Sequence, residues 1–202
     1  MSKIVLGLAM AIALMAFGTT AWILTDRLME PKTIAGEGTV IAPKGIGGPF
    51  KLTSDGGKQV TEAEFAGKHA LIYFGYSFCP DVCPTGLQTI AAGLDKLGDD
   101  AKKVVPVFIS VDPDRDTPDQ LAQYVELFHP DMVGLTGSAD DIKDVAKKFR
   151  VYYALHKDKD PDNYPVDHSA FTYLMGPDWK IVAVFRHDVT TDNIANALKQ
   201  VL

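Results

Sequence analysis

Two short apolar runs constrain the fold of this chain more than any other feature. Ala70–Tyr76 (ALIYFGY) and Val104–Val111 (VVPVFISV) carry no charged side chain and are rich in β-branched and aromatic residues. A strand that is apolar on both faces must be covered on both faces, as in a sheet flanked by helices. Between the runs, Pro84–Leu97 places Leu87, Ile90, Ala91, Leu94 and Leu97 at helical spacing. Strand, helix, strand in that order is a crossover unit, and it puts the chain in the α/β class.

The remaining pattern extends that unit. Phe50–Thr53 and Lys58–Val60 flank Asp55-Gly56-Gly57, a hairpin signature. Thr117 begins a helix with Pro118 in its first position and Leu121, Tyr124, Val125 and Phe128 on one face. Ser138 is placed to cap a further helix, Ala139–Phe149. Phe171–Met175 and Lys180–Phe185 read as strands joined by Gly176-Pro177-Asp178, and a last helix starts near Thr191. The expectation is an α/β, thioredoxin-like fold with an added N-terminal hairpin and an insertion before the final β-hairpin. In such sheets ligands bind beyond the carboxyl ends of the strands. Here that place is the loop Ser77–Pro84, which holds both cysteines of the chain.

Upstream, Ile4–Leu24 is free of charged side chains. A membrane-spanning helix needs about 20 such residues, whereas the apolar core of a cleaved signal peptide runs about 7–15. The expectation is therefore an uncleaved anchor over residues 1–25, a Gly/Pro-rich tether over 26–48, and a folded domain over 49–202. Lys3 and the amino terminus precede the run, which favours an N-inside orientation with the domain on the far side. Cleaved or not, the segment exports the domain. An exported thiol pair meets oxidants and must be kept reduced to bind a soft metal. Beyond the anchor the chain carries 19 basic and 26 acidic side chains, a balance of −7. That charge is a poor match for nucleic acid and suits metal cations or basic partners.

The cysteines form Cys79-Pro80-Asp81-Val82-Cys83. Residues four apart on a helical turn have Cβ atoms about 5–6 Å apart. A disulfide wants about 3.5–4.5 Å, so this spacing admits a disulfide after adjustment and a shared ion more easily. Thiolates are soft ligands that select Cu(I), zinc or iron–sulfur clusters. Structural zinc takes four ligands, more than two cysteines and one histidine supply. With Pro84 opening the helix, Cys83 would sit at its N-terminus, where the helix dipole favours a thiolate; Asp81 opposes this.

Five histidines are available as a third ligand. His69 precedes the first buried strand at the edge away from the motif. His129 sits at a helix end before Pro130, and His156 and His187 stand in polar surroundings. His168 opens the extended run Val166-Asp167-His168-Ser169-Ala170, and the loop Lys157–Pro165 could fold it toward the cysteines, with Asp167 or Ser169 orienting the ring. Spacing alone leaves it one candidate among several. Two alternating acidic runs, Asp112/Asp114/Asp116 and Asp158/Asp160/Asp162, lack the Gly and Glu that a calcium loop requires at its sixth and twelfth positions. The first reads as a loop near the site with Arg115 paired to an aspartate.

Several stretches resemble the Sco (SenC/PrrC) family of copper proteins for cytochrome c oxidase. They are Tyr73–Pro84 (YFGYSFCPDVCP), Phe108–Pro118 (FISVDPDRDTP), Gly134–Gly137 (GLTG) and Asp167–Ala170 (DHSA), in that order. The one difference is Ser77, where threonine is frequent. The resemblance implies a thioredoxin-like fold and a metal site of Cys79, Cys83 and His168 that binds Cu(I) and Cu(II). It also implies a role in building the dinuclear copper centre of oxidase subunit II, with periplasmic copper chaperones or thiol reductases as further partners. A carrier rather than an enzyme is expected, in the inner membrane with its domain in the periplasm. The alternative is a thiol–disulfide reductase that uses Cys79 and Cys83 as a redox pair on the oxidase's cysteines.

Overall fold

Both apolar runs form neighbouring strands at the centre of the sheet. The computed structural model describes residues 38–40, 45–158, 160 and 163–202, together with Met15 and Thr19. The expected anchor, those two residues apart, lies outside the described residues. Among the described residues no helix is long and apolar enough to cross a membrane.

In chain order the elements are β1 (Thr39–Val40), β2 (Lys51–Ser54), β3 (Gln59–Thr61), a 3-10 turn (Glu62–Phe65), β4 (His69–Gly75), α1 (Val82–Asp95), a second 3-10 turn (Gly98–Lys103) and β5 (Val104–Ser110). Then come α2 (Pro118–Glu126), β6 (Val133–Thr136), α3 (Ala139–Phe149), β7 (Tyr153–Leu155), β8 (Val166–His168), β9 (Thr172–Met175), β10 (Ile181–Phe185) and α4 (Thr191–Lys199). One sheet runs β1-β10-β9-β4-β5-β6-β2-β3, and β7 and β8 make a separate two-stranded sheet. β4, β5 and β6 are mutually parallel, while β9 pairs antiparallel with β4. All seven residues of β4 are buried, as a strand covered on both faces requires.

Helices begin where their caps dictate. The Thr117 hydroxyl accepts from the Gln120 N–H, with Pro118 following at the first helical position. Ser138 and Asp141 form a reciprocal capping box at the start of α3.

Several details differ from expectation. α1 begins at Val82, not at Pro84; the proline lies inside the first turn, where its missing N–H would have had no helical partner. The segment expected as tether contributes β1, an edge strand that pairs antiparallel with β10 through Thr39↔Phe185 and Val40↔Val184. Gly38 turns into it at φ 79°, and its carbonyl accepts from the Arg186 N–H at 2.9 Å. β6 is too short, and too interrupted by Gly134, to show a strand period. That glycine is needed: a Cβ there would lie 3.0 Å from Leu121 Cβ on α2. Its amide is held instead by Asp55 of the β2–β3 turn, at 2.9 Å.

Candidate metal centre

The site grows from the carboxyl ends of β4 and β5. Val111 N–H donates to the Gly75 carbonyl at 2.8 Å, so the two strand exits leave the sheet together. The chain then turns through Tyr76, Ser77 and Phe78, where the Cys79 N–H donates back to the Tyr76 carbonyl at 3.1 Å. Ser77 is clamped by Asp116: its N–H donates to Oδ2 at 3.0 Å and its hydroxyl to Oδ1 at 2.5 Å. A threonine would keep both bonds. The Tyr73 hydroxyl donates to the Val82 carbonyl at 3.1 Å and so ties the first turn of α1 to β4.

These anchors bring the cysteines together in different settings. Cys83 is fully buried; Cys79 is 9% exposed, between the exposed side chains of Phe78 and Val82. Both are free thiols. Gly75 lies against the inner one, since a Cβ there would stand 2.5 Å from Cys83 Sγ. The glycine is what makes room for the sulfur.

His168 arrives from the other side, on β8. Its Nε2 lies 3.2 Å from Cys83 Sγ, and its Nδ1 lies 3.3 Å from the Ser169 carbonyl oxygen. A carbonyl can only accept, so a proton on Nδ1 can donate to it, which turns Nε2 toward the sulfurs. The orienting partner is thus the backbone of Ser169. Asp167 turns away instead and pairs with His156 Nε2 at 2.8 Å. Those two residues line a separate open cavity of about 410 Å³ with Asp158, Asp160, Asn163 and Pro165, which contains neither cysteine. The rings of Tyr73 and Tyr76 stand edge-on to His168, at centroid distances of 6.3 and 5.8 Å.

Among the described residues, Cys79, Cys83 and His168 are the one group of three whose ligand atoms converge for a metal ion, all within 4.8 Å of one another. Burial and the coupling of the two thiols act against the expectation from helix position. Cys79 is pulled down to about 3 by the Cys83 thiol donating to it, against the cost of burial, with His168 and the N–H groups of Asp81 and Cys83 helping. Cys83, at the helix start, is pushed up by burial, by its bond to Cys79 and by the charge there. Burial is the largest influence on Cys83 and acts against a thiolate there.

The other histidines stay apart from the sulfurs. His69 opens β4 at the end opposite the motif, and burial lowers its pKa. His129 follows α2 and accepts from the Asp131 N–H at 3.1 Å. His156 is exposed but engaged with Asp167, and His187 is exposed. The acidic loop after β5 packs into the site as expected. Asp112 and Asp116 are fully buried, and Arg115 Nε donates to Asp112 Oδ2 at 2.5 Å. Sequence reasoning did not single out Gly75, Tyr73, Tyr76 or Tyr164, which position the ligands or their loops. Only the glycine directly ahead of the cysteine loop offered a signal.

Known proteins resemble this chain over most of its length. The chain matches SCO1/SenC over residues 39–202. It belongs to the SCO1/SenC family. It is 47% identical over 169 residues to the mitochondrial SCO1 homolog 1 of Arabidopsis thaliana, covering 81% of this chain and 50% of that protein. The chain thus spans half the length of that relative. Copper-bound ScoI of Bradyrhizobium japonicum superposes with a TM-score of 0.72 at 45% identity, over 78% of this chain and 99% of that one. BsSco, described with a disulfide switch and as a member of the Sco family of cytochrome c oxidase assembly proteins, has a TM-score of 0.62 at 26% identity, over 79% and 95%. The mixed α/β sheet is thus the thioredoxin-like architecture of Sco proteins.

Proposed function

We propose that the chain is a copper-binding assembly factor, a metallochaperone that helps deliver copper to the dinuclear copper centre of cytochrome c oxidase subunit II. Cys79, Cys83 and His168 are its ligands. The observation that carries this reading is the convergence of two sulfurs and one imidazole nitrogen within 4.8 Å. The set is soft, one short of the four ligands of structural zinc, and shaped for copper. Copper is the cargo, and delivery is ligand exchange. Of the two sulfurs, Cys79 is the less deeply buried.

The proposed setting is a single-pass anchor over residues 1–25 and a tether that ends ahead of β1, which hold the folded domain on the periplasmic side of a bacterial inner membrane. It rests on the charge-free run Ile4–Leu24 and its positive amino-terminal flank. The mitochondrial inner membrane is the alternative.

A second reading is favoured by the free thiol pair, whose outer member, Cys79, is 9% exposed. In it Cys79 attacks a disulfide of the oxidase and Cys83 resolves the mixed disulfide. The oxidase gains a dithiol, this chain gains a disulfide, and an external dithiol must restore it.

One experiment separates the two. Reduced protein is loaded with copper anaerobically and dialysed, as wild type and as His168→Ala. One retained copper in wild type, and a marked loss of Cu(II) in the variant, is the expected result. Equal Cu(II) retention in both removes His168 from the ligand set. Wild type that keeps no copper but reduces an oxidised oxidase peptide makes the chain a reductase.

A further inference from the structure

We infer that Arg115 is the positioning residue that fixes His168 against the cysteines, by bolting the segment that leads into β8 onto the cysteine loop. The inference rests on the copper reading above and adds the device that holds its two halves together.

Three aromatic rings surround the Arg115 guanidinium. Its central carbon lies 3.7 Å from the ring centroid of Tyr164, 4.9 Å from that of Phe78 and 5.6 Å from that of Tyr76. Tyr76 and Phe78 belong to the cysteine loop, Phe78 directly before Cys79. Tyr164 belongs to the segment before His168. Arg115 comes from a third segment, the loop after β5, and its side chain is 11% exposed. One planar cation thus touches the polypeptide on both sides of the metal site.

The bolt is itself fixed from beneath. Asp112, fully buried, accepts from Arg115 Nε at 2.5 Å through Oδ2 and from the Tyr164 hydroxyl at 2.6 Å through Oδ1. One carboxylate therefore sets the spacing between the guanidinium and the ring above it. Lys157 reaches Asp114 and also lies over Tyr164, at 5.1 Å. Arg115 Nη2 is buried without an oxygen partner, so that end of the guanidinium is held by ring faces rather than by hydrogen bonds.

Other ties between the halves are slight. The Val166 N–H reaches the Tyr76 hydroxyl only at 3.5 Å, and β8 pairs with β7, outside the main sheet. β9 ties the C-terminal side of His168 to β4 through Tyr73↔Thr172, but β8 itself has no backbone ladder to β4, so on its N-terminal side the approach of His168 to the sulfurs depends on what the side chains hold. Arginine suits the place because its flat face stacks and its Nε fork reaches a carboxylate at the same time; lysine does only one of these.

The test uses Arg115→Lys and Tyr164→Leu in the intact reduced protein, with two readouts. In the metal-free protein, amide hydrogen exchange at residues 166–168 should quicken by about tenfold or more while β4 and β5 keep wild-type protection. On loading, Cu(II) retention and its sulfur charge-transfer absorption should fall by about 10–100-fold, as for other residues that orient metal ligands. Cu(I), for which the soft thiolates suffice, should be retained within about threefold. Wild-type exchange at 166–168 in both variants overturns the inference, as does equal loss of both copper states with exchange raised across β4 and β5. The exchange readout needs no metal. A wild type that binds no copper would sink the copper reading alone and leave the role of Arg115 to be decided by exchange.

Discussion

The cysteine half of the metal centre grows out of the middle of the eight-stranded sheet, and the histidine half hangs on a two-stranded sheet beside it. Cys83 follows β4, whose seven residues are all buried, and it lies under Gly75 with no exposed surface. His168 ends a three-residue strand whose burial runs buried, exposed, intermediate. The first half is placed by the packing that makes the protein fold at all. The second is placed by polar and aromatic contacts ahead of His168 and by β9, paired with β4, after it. A core-built element resists displacement, because interiors are close-packed and a small volume change is felt. A loop-built element opens at lower free energy.

The largest expected effect comes from breaking the rigid half. In Gly75→Ala the new methyl would meet Cys83 Sγ at 2.5 Å and Phe108 at 3.0 Å. Overpacking of this kind costs about 1–3 kcal/mol, measurable by urea unfolding. Because it moves a sulfur, it should abolish retention of copper in both oxidation states, unlike His168→Ala, which spares Cu(I). A Gly75→Ala protein that keeps both states would show that the cysteine half is not fixed by packing.

A middling effect is expected where the halves meet the core, at Asp116. Burial raises this carboxyl above its ordinary range, against hydrogen bonds from Ser110 and Ser77. A raised folded pKa means that the folded state favours the protonated form. Its contribution to stability is therefore complete below the unfolded value of about 3.9 and is lost as pH rises through the folded value. The stability advantage of wild type over Asp116→Asn should shrink as pH climbs from about 4, read from urea midpoints across a pH series. An advantage that stays constant or grows with pH would mean that the three hydrogen bonds outweigh burial.

The same division explains what the sequence made legible. β4, β5 and α1 announce themselves because periodicity reports burial, and the cysteines are placed by those elements. Thr117 and Ser138 mark their helices because caps act within a few residues. β6 and β1 gave no signal, since each is short and owes its strand character to a partner far along the chain: β5 and β2 for one, β10 for the other. His168 was only one candidate by spacing, and the resemblance to Sco proteins singled it out. Its approach depends on Tyr164, Asp112 and Arg115, which meet across about 50 residues of sequence. The helix-dipole argument for Cys83 omits the burial of that sulfur, a tertiary property that pushes its pKa the other way.

The smallest effect should come from the direct tie between the halves. Tyr76→Phe removes the hydroxyl that accepts from the Val166 N–H at 3.5 Å and leaves the ring in its edge-on place beside His168. A bond of that length is weak, so the cost in stability should stay within about 0.5–1 kcal/mol. Cu(I) retention should be unchanged, and Cu(II) retention should fall far less than in Arg115→Lys. Copper titration of the two variants side by side makes the comparison quantitative. If Tyr76→Phe loses Cu(II) as severely as Arg115→Lys, the halves are joined through the tyrosine hydroxyl and not through the guanidinium stack. If it behaves as wild type, the edge-on ring and the Arg115 bolt suffice to hold the imidazole at 3.2 Å from Cys83 Sγ.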